Sequence, residues 1–326
     1  MFQTSFKYYK SRNPPPTFEN LLLIGTDHPN LQPVQLSHNN ESIFSGLHPP
    51  NEWKIYELST RPGLLLLANP FTCEGQRYWM TQSLVNYPTH PNTTNQSNVS
   101  QSTHNADRSW WEMVQSVPDI TERKKFAKKL RWATLGYQYD WTNKIYDESR
   151  KECFPSNLRA LVQYVATVLG YDRFSPEAAI VNYYPIGSTL AGHTDHSEDD
   201  CSAPLFSFSF GQPAVFLIGG LSRDEQPDAI LLRSGDIIVM TGASRLCYHA
   251  VPRVCTDLEL PEYMGNSAKR WESHDFPQEQ RKDEMWSDAI QQYIQYSRIN
   301  INVRQVLRAN QQTLQPIGER FMHEKL

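Results

Sequence analysis

No run in the 326 residues is long and apolar enough to span a bilayer. The apolar runs at 21–24 and 64–67 are four residues long, where a span needs about twenty. No apolar segment follows the basic start, so a chain that is not secreted and holds no stable membrane contact is expected. The sequons at Asn92, Asn95 and Asn98 then read as polar loop, because glycosylation needs the secretory route. The five cysteines are odd in number and form no C-x-x-C pair, which excludes a disulfide framework and a zinc knuckle. Charge of one sign is not in excess. A net charge of -4 excludes a generic polyanion-binding surface, so any nucleic-acid contact must come from a local patch. With 39% hydrophobic and 20% charged residues the chain is globular, not disordered. Its length allows one large core or two modest ones. The first sixteen residues lack acids and carry Lys7, Lys10 and Arg12 among Phe2, Phe6, Tyr8 and Tyr9. They read either as a mitochondrial transit segment or as a short basic surface helix. The expected compartments are the mitochondrion, the nucleus or the cytoplasm.

What is present divides into an irregular and helical first half and a β-rich second half. Residues 1–55 read as irregular, with Pro14, Pro15 and Pro16 breaking an early helix. Arg61, Pro62 and Gly63 form a turn into a buried strand at 64–67, and Asn69 or Thr72 caps a helix to about Tyr87. Residues 88–108 are too polar to repay ordering and read as a mobile insertion. A basic helix is expected at 123–131. A core helix follows, with Leu158, Leu161, Val162, Val165, Val168 and Leu169 at helical spacing between Ser156 and Gly170. Strands are predicted at 178–184, 190–194, 205–210, 214–218, 229–232, 236–240, 247–251 and 298–306, the number a jelly roll needs. Residues 256–283 read as an inserted loop and 284–296 as a helix. The expected fold is α+β: a double-stranded β-helix (jelly roll) core with flanking helices and an N-terminal helical extension. Its predicted parts are an extension over 1–60, a catalytic domain over 61–315 and a tail over 316–326.

The chemistry lies in His193-x-Asp195, His249 and the strand from Arg298 to Arg304. Two imidazoles and a carboxylate are the protein ligands of a non-heme Fe(II) oxygenase, leaving metal positions open. Asn182 and Tyr184 share one face of their strand, and Arg298, Asn300, Asn302 and Arg304 share one face of theirs. Ile299, Ile301 and Val303 take the other face. Guanidiniums inside a barrel are costly unless they meet opposite charge, which a bound dicarboxylate would supply. A zinc hydrolase could use the same three ligands but would not need the arginines.

The pattern Asn182-x-Tyr184, His193-x-Asp195, His249 and Arg298-x-Asn300-x-x-x-Arg304 resembles the AlkB family of Fe(II)/2-oxoglutarate-dependent dioxygenases. The segments at 61–71, 130–137, 205–211 and 249–254 resemble its animal homologue-one branch, and the likeness covers about residues 1–310. The resemblance implies that His193, Asp195 and His249 bind Fe(II). It implies that Asn182, Tyr184, Arg298, Asn300 and Arg304 bind 2-oxoglutarate, with Arg298 on the distal carboxylate, and that O2 is consumed. Trp111, Tyr137, Gln138, Tyr139 and Asp140 would then lie on the substrate side, whereas Trp132 and Trp141 read as core. The implied reaction oxidises methyl groups on nucleobases. A hydroxymethyl on nitrogen collapses to formaldehyde and the demethylated base, and one on carbon persists. Implied substrates are transfer RNA, through 1-methyladenine demethylation and 5-methylcytosine oxidation, and 6-methyladenine in unpaired DNA. A monomer is expected. One position departs from the bacterial founder: four residues after the first histidine stands Ser197 in place of an aspartate, so substrate choice does not carry over. Two further readings stay open, a histone or protein demethylase or hydroxylase on the same barrel and a catalytically inactive binding scaffold.

Overall fold

Strand alternation and one helical stripe decide the architecture of the computed structural model, which describes residues 1–36, 42–97, 108–256, 260 and 286–315. In chain order the elements are α1 (Phe2–Lys10), β1 (Leu22–Leu23), β2 (Leu31–Pro33), β3 (Lys54–Leu58), β4 (Leu64–Ala68), α2 (Cys73–Thr81) and β5 (Thr93–Thr94). Then come α3 (Trp110–Gln115), α4 (Ile120–Ala127), β6 (Trp132–Asp140), β7 (Ile145–Lys151), α5 (Ser156–Val168), β8 (Ala178–Pro185) and β9 (Leu190–His193). The last are β10 (Leu205–Gly211), β11 (Ala214–Ile218), β12 (Asp228–Leu232), β13 (Ile237–Met240), β14 (His249–Val254), α6 (Asp288–Ile294) and β15 (Ser297–Arg304). Each of the eight strands predicted after residue 177 is present, within one to three residues at its ends.

Two sheets face each other. The larger runs β2-β3-β4-β13-β10-β15-β8-β6-β5, with β7 paired to β6, and the smaller runs β1-β12-β11-β14-β9. All pairings are antiparallel except β1 with β12. Between the sheets lie Leu64, Leu66, Leu205, Phe216, Ile230 and Ile238. Behind the larger sheet, Ile299, Ile301 and Val303 meet α2, α3, α5 and α6 through Trp79, Trp110, Leu161 and Ile290. The β15 strand therefore keeps an apolar face for the helices and a polar face for the space between the sheets.

The N-terminal sixty residues open with the expected helical extension but depart from the irregular reading of 1–55. They are not irregular up to residue 55. Phe2, Phe6 and Tyr9 recur at helical spacing and are buried against Val215, Leu217 and Ala250 on the outer face of the smaller sheet. The run 21–24 supplies β1 to one sheet, and β2 and β3 extend the other. The triple proline ends nothing, because the helix stops at Lys10.

Three smaller expectations shift. Residues 92–97 carry hydrogen bonds: β5 pairs with β6, and the Asn95 side chain accepts from the Arg131 N–H at 2.7 Å and donates to the Lys129 carbonyl at 2.8 Å. Polar side chains there replace apolar burial as the source of order. Residues 98–107 of that insertion, nearly all of 256–283 and the tail 316–326 lie outside the described residues. The basic helix spans 120–127, not 123–131, because Asp119 caps its start through the N–H groups of Thr121 and Glu122. The β6–β7 hairpin was not predicted. Its aromatic content masked an alternation in which Ala133, Leu135 and Tyr137 are buried.

No helix among the described residues is long and apolar enough to cross a membrane.

Phe2 is 1% exposed, and its ring fills the space that side chains on Gly192 and Gly219 would occupy. Phe2→Ala is expected to cost up to about 3–5 kcal/mol of packing, an upper limit for a terminal helix free to undock. Amide exchange should then rise over residues 2–10 and stay slow in β10 and β15. Unchanged protection of α1 would show that Phe6 and Tyr9 hold it alone.

Candidate active site

Strand register brings the first two side chains together. His249 on β14 is the direct partner of His193 on β9, and their ring centroids are 4.3 Å apart. Asp195 follows just past the end of β9. One donor atom from each of His193, Asp195 and His249 lies within 4.8 Å of the other two. Nε2 of His193 is 3.8 Å from Oδ1 of Asp195, and Nε2 of His249 is 3.8 Å from Oδ2. The outer nitrogens are occupied. Nδ1 of His193 donates to the Ala191 carbonyl at 2.9 Å, and Nδ1 of His249 to the Cys247 carbonyl at 3.1 Å. A carbonyl only accepts, so each Nδ1 carries a proton, and in the neutral ring Nε2 is then the nitrogen that holds the lone pair. Burial, and then the neighbouring His193, push His249 down to about 4, so it is neutral at neutral pH. Two imidazoles and a carboxylate facing one point fit a divalent ion.

A chain of buried charge holds the carboxylate. Burial alone would raise the Asp195 carboxyl, but the Arg304 guanidinium beside it holds it well below the usual carboxylate range. Nη2 of Arg304 donates to Asp195 Oδ2 at 2.7 Å. The Arg304 Nε lies 3.1 Å from Oε1 of Glu198, close enough to pair as ions but off the direction of a hydrogen bond. The other Glu198 oxygen accepts from Arg245 Nη2 at 3.0 Å, with both side chains 2% exposed. Arg245 also donates to the main-chain carbonyls of Asp195 at 2.7 Å and Ala203 at 2.9 Å. The sequence reading missed Arg245 and gave Glu198 no role. No pattern in the sequence marks a lone arginine four residues before a histidine as buried.

The residues expected to bind the cosubstrate lie on facing positions of β8 and β15, where Arg298 pairs with Tyr184 and Asn300 with Asn182. The Arg298 guanidinium sits 5.3 Å from the Tyr184 ring centre. Its Nη2 donates to Ser209 Oγ at 2.9 Å, but its Nε and Nη1 are buried with no partner among the described residues. Burial lowers this guanidinium to about 10. Asn300 donates to Ser207 Oγ at 2.8 Å and the Phe208 carbonyl at 3.0 Å. Three buried guanidiniums (Arg245, Arg298, Arg304) face two carboxylates (Asp195, Glu198), so the cluster carries surplus positive charge before any metal ion is added. A dianion beside a divalent ion fits that imbalance and the two free Arg298 donors.

A cavity of about 510 Å³ opens onto His193 and Asp195 and is also lined by Asn182 and Arg304. Arg298, Tyr184, Asn300 and His249 are buried on the same strand faces but outside its lining. Of the five expected substrate-side residues, only Tyr139 reaches this cavity. Trp111 is 4% exposed and packs on Trp110 and Tyr293 in the helical core. Tyr137 is fully buried and donates to Glu148 at 2.6 Å. Gln138 is spent on Thr93, Thr134 and Gly136, fastening β5 to β6. Asp140 caps the hairpin turn through the N–H groups of Thr142 and Asn143 and pairs with Arg150 at 3.3 Å. The register of β6 on β7 shifts between Tyr137 and Tyr139, and past that shift Tyr139 stacks edge-on to Trp141 at 4.9 Å with its hydroxyl 3.1 Å from Ser197 Oγ. Trp141, expected in the core, is 43% exposed and lines the cavity with Lys144, Arg223 and Tyr248.

Comparison with known proteins agrees with this geometry. The model of the 2OG-Fe(II) oxygenase superfamily matches residues 63–304. The chain is similar to the nucleic acid dioxygenase ALKBH1 of Mus musculus, 40% identical over 84% of this chain and 72% of that protein. It is 37% identical to the Homo sapiens protein of the same name, over 98% of this chain and 87% of the relative. It is 35% identical to the tRNA demethylase abh1 of Schizosaccharomyces pombe, over 78% and 82%.

Glu198→Gln removes the anion that links Arg245 to Arg304 and leaves both guanidiniums under-compensated. Affinity of the metal-free protein for Co(II) or Mn(II), read by titration, is expected to fall about 10- to 100-fold, as for other supports of metal ligands. An unchanged metal affinity would show that Arg304 holds Asp195 without help.

Proposed function

Because the chain belongs to the 2OG-Fe(II) oxygenase superfamily and matches its ALKBH1 members over most of their length, we propose that it oxidises methyl groups on the bases of nucleic acids. We assign structured RNA, transfer RNA first, as the preferred substrate, through 1-methyladenine demethylation and 5-methylcytosine oxidation, with 6-methyladenine in unpaired DNA as a further substrate. The observation that carries the proposal is the His193, Asp195 and His249 cluster together with a buried Arg298 that keeps two donors free.

In this reading His193, Asp195 and His249 hold Fe(II), and Arg298, with Tyr184 beside it, grips the distal carboxylate of 2-oxoglutarate. Asn182, Asn300 and Arg304 complete the cosubstrate site. The bound iron, with 2-oxoglutarate and O2, supplies an oxygen atom to a methyl C–H as the cosubstrate is converted to succinate and carbon dioxide. Arg304 keeps Asp195 ionised and oriented, so that its lone pairs are directed before substrate arrives. Both histidines are locked in the tautomer that presents Nε2. Tyr139 and Trp141 offer an aromatic surface at the cavity on which an unpaired base can stack. A base in a duplex would first have to unstack and unpair, at a cost of a few kcal/mol that a loop base largely avoids.

Succinate formation by the iron-loaded protein tests this reading, compared across modified transfer RNA, methylated single-stranded DNA and a methylated histone peptide. Turnover with the peptide alone would move the assignment to a protein demethylase, and no turnover with any of them would leave a binding scaffold. Two variants separate the parts. Arg298→Lys keeps the charge but loses the planar fork, so the 2-oxoglutarate requirement should rise sharply while metal affinity holds. Unchanged cosubstrate affinity would shift that role to Arg304. Trp141→Ala should weaken binding of an oligonucleotide carrying unpaired 1-methyladenine by about 1–3 kcal/mol, roughly 5- to 150-fold, with substrate-free 2-oxoglutarate turnover intact.

A further inference from the structure

A second cavity, of about 670 Å³, lies at the other end of α1. It is lined by Lys10, Arg12 and Arg253 against the loop at 186–189, and no acidic residue lines it. Lys10 and Arg12 are exposed, and neither has a carboxylate partner among the described residues. The guanidinium of Arg12 sits so near Gly187 that a Cβ there would be 2.8 Å from it. A fourth cation arrives from another direction, as Nη1 of exposed Arg131 donates to Ser188 Oγ at 3.3 Å. Three separate segments thus bring positive charge to one short loop.

The two cavities are joined by the same two elements. The start of α1 lies at the first: the Phe2 N–H donates to the Arg223 carbonyl at 3.1 Å, the Phe2 ring meets Tyr248, and Arg223 and Tyr248 line the catalytic cavity. The end of α1 lies at the second. Nine residues of helix cover about 13 Å. The strand β9 makes the same connection, since Ser188 and Thr189 line the second cavity and Leu190 to His193 line the first. From Ser188 to His193 is at most about 17 Å of extended chain. Arg223 and Lys144 continue the cationic lining at the catalytic end.

We propose that Lys10 and Arg12, with Arg131 across the 186–189 loop, form a phosphate-binding groove that holds the strand next to the base entering the catalytic cavity. The proposal rests on the nucleic-acid reading above and adds where the backbone runs. The occupant is a single polynucleotide strand, because one group of cations gathers at the 186–189 loop and a second, Lys144 and Arg223, lines the catalytic cavity, with α1 and β9 running between the two. Arg253 is a support: it donates to the carbonyls of Tyr9 at 3.3 Å and Ser11 at 2.7 Å, fixing the end of the helix.

The test uses the full chain and a fluorescein-labelled, unmodified single strand of about fifteen nucleotides, a length that spans both cavities, beside a labelled trinucleotide. The double substitution Lys10→Gln and Arg12→Gln should weaken the long strand about tenfold and make its salt dependence shallower by about 1.4, or about 0.7 for each lost phosphate contact. Trinucleotide binding and substrate-free 2-oxoglutarate turnover should not change, which also reports that the variant is folded. Arg12→Glu should weaken the long strand further. Equal affinity and salt slope in wild type and variants would overturn the groove while leaving the nucleic-acid reading standing. If the wild type binds neither strand at low salt, that reading falls and the groove with it. Competition by millimolar inorganic phosphate, or binding to anionic phospholipid vesicles that the double substitution abolishes while strand binding persists, would reassign the cavity and also overturn the proposal.

Discussion

The contact between Arg304 and Asp195 is the constraint around which the rest is arranged. A metal-binding carboxylate must stay ionised where water is scarce, and burial opposes that. The guanidinium at 2.7 Å reverses the balance but brings its own desolvation cost. Glu198 offsets that cost, and Arg245 in turn offsets Glu198. The chain ends when Arg245 spends its remaining donors on main-chain carbonyls. Cutting such a chain at one member leaves an uncompensated buried charge, typically worth about 3–5 kcal/mol. The network is therefore a condition for a preformed metal site more than a source of stability.

Strand register delivers those groups. Arg298 to Arg304 present four polar side chains to the space between the sheets only because β15 is pinned on both sides, by β10 and by β8. A slip of one residue would send every guanidinium into the helical layer and Ile299, Ile301 and Val303 into the site. The apolar face prevents the slip, since all three residues are fully buried against the helices. The same alternation divides two adjacent tyrosines of β8. Tyr183 enters the helical core and donates to the Ser83 carbonyl at 2.5 Å, and Tyr184 turns to Arg298.

The parts legible in the sequence were those with a period or a fixed spacing. The eight strands of the second half could be read because each alternates or is short and apolar, and the His193-x-Asp195 and His249 group could be read because its ligand types are chemically restrictive. Partners set by tertiary contact were not legible. Glu198 looked like one of three consecutive acids, and only the fold separates it, fully buried, from Asp199 and Asp200. Trp111 and Trp141 were exchanged in the reading because aromatic identity does not say which way a ring points. Trp111 sits on a helix whose capping box at Ser109 and Glu112 turns it inward, and Trp141 follows a strand that ends at Asp140. The α1 stripe of Phe2, Phe6 and Tyr9 was visible in principle, but its basic residues drew attention first. Lys7 and Lys10 share that helix, with Lys10 over the Phe6 ring at 5.7 Å, and Arg12 lies beyond its end.

Division of labour between buried and exposed segments has a consequence for specificity. The proposed metal and cosubstrate groups stand on β8, β14 and β15, inner strands of the two sheets, and on or just past β9 at the edge of the smaller sheet. The aromatic surface stands on the β6–β7 hairpin, whose turn is held locally by Asp140 and whose neighbouring Lys144 adopts a positive φ of 57°. A turn closed by its own side chains can change its projecting residues without repacking the sheets. The serine at 197 joins these two zones: its hydroxyl meets Tyr139 and donates to the Lys144 carbonyl at 2.9 Å, two residues beyond the metal carboxylate. An aspartate at that position would bring a negative charge to the hairpin and to the metal cluster at once. A neutral hydroxyl instead couples the cavity-lining Tyr139 to the loop after Asp195 through hydrogen bonds alone. The cavity-facing Tyr139 and the loop that carries Asp195 are then linked by one side chain that adds no charge to the cluster.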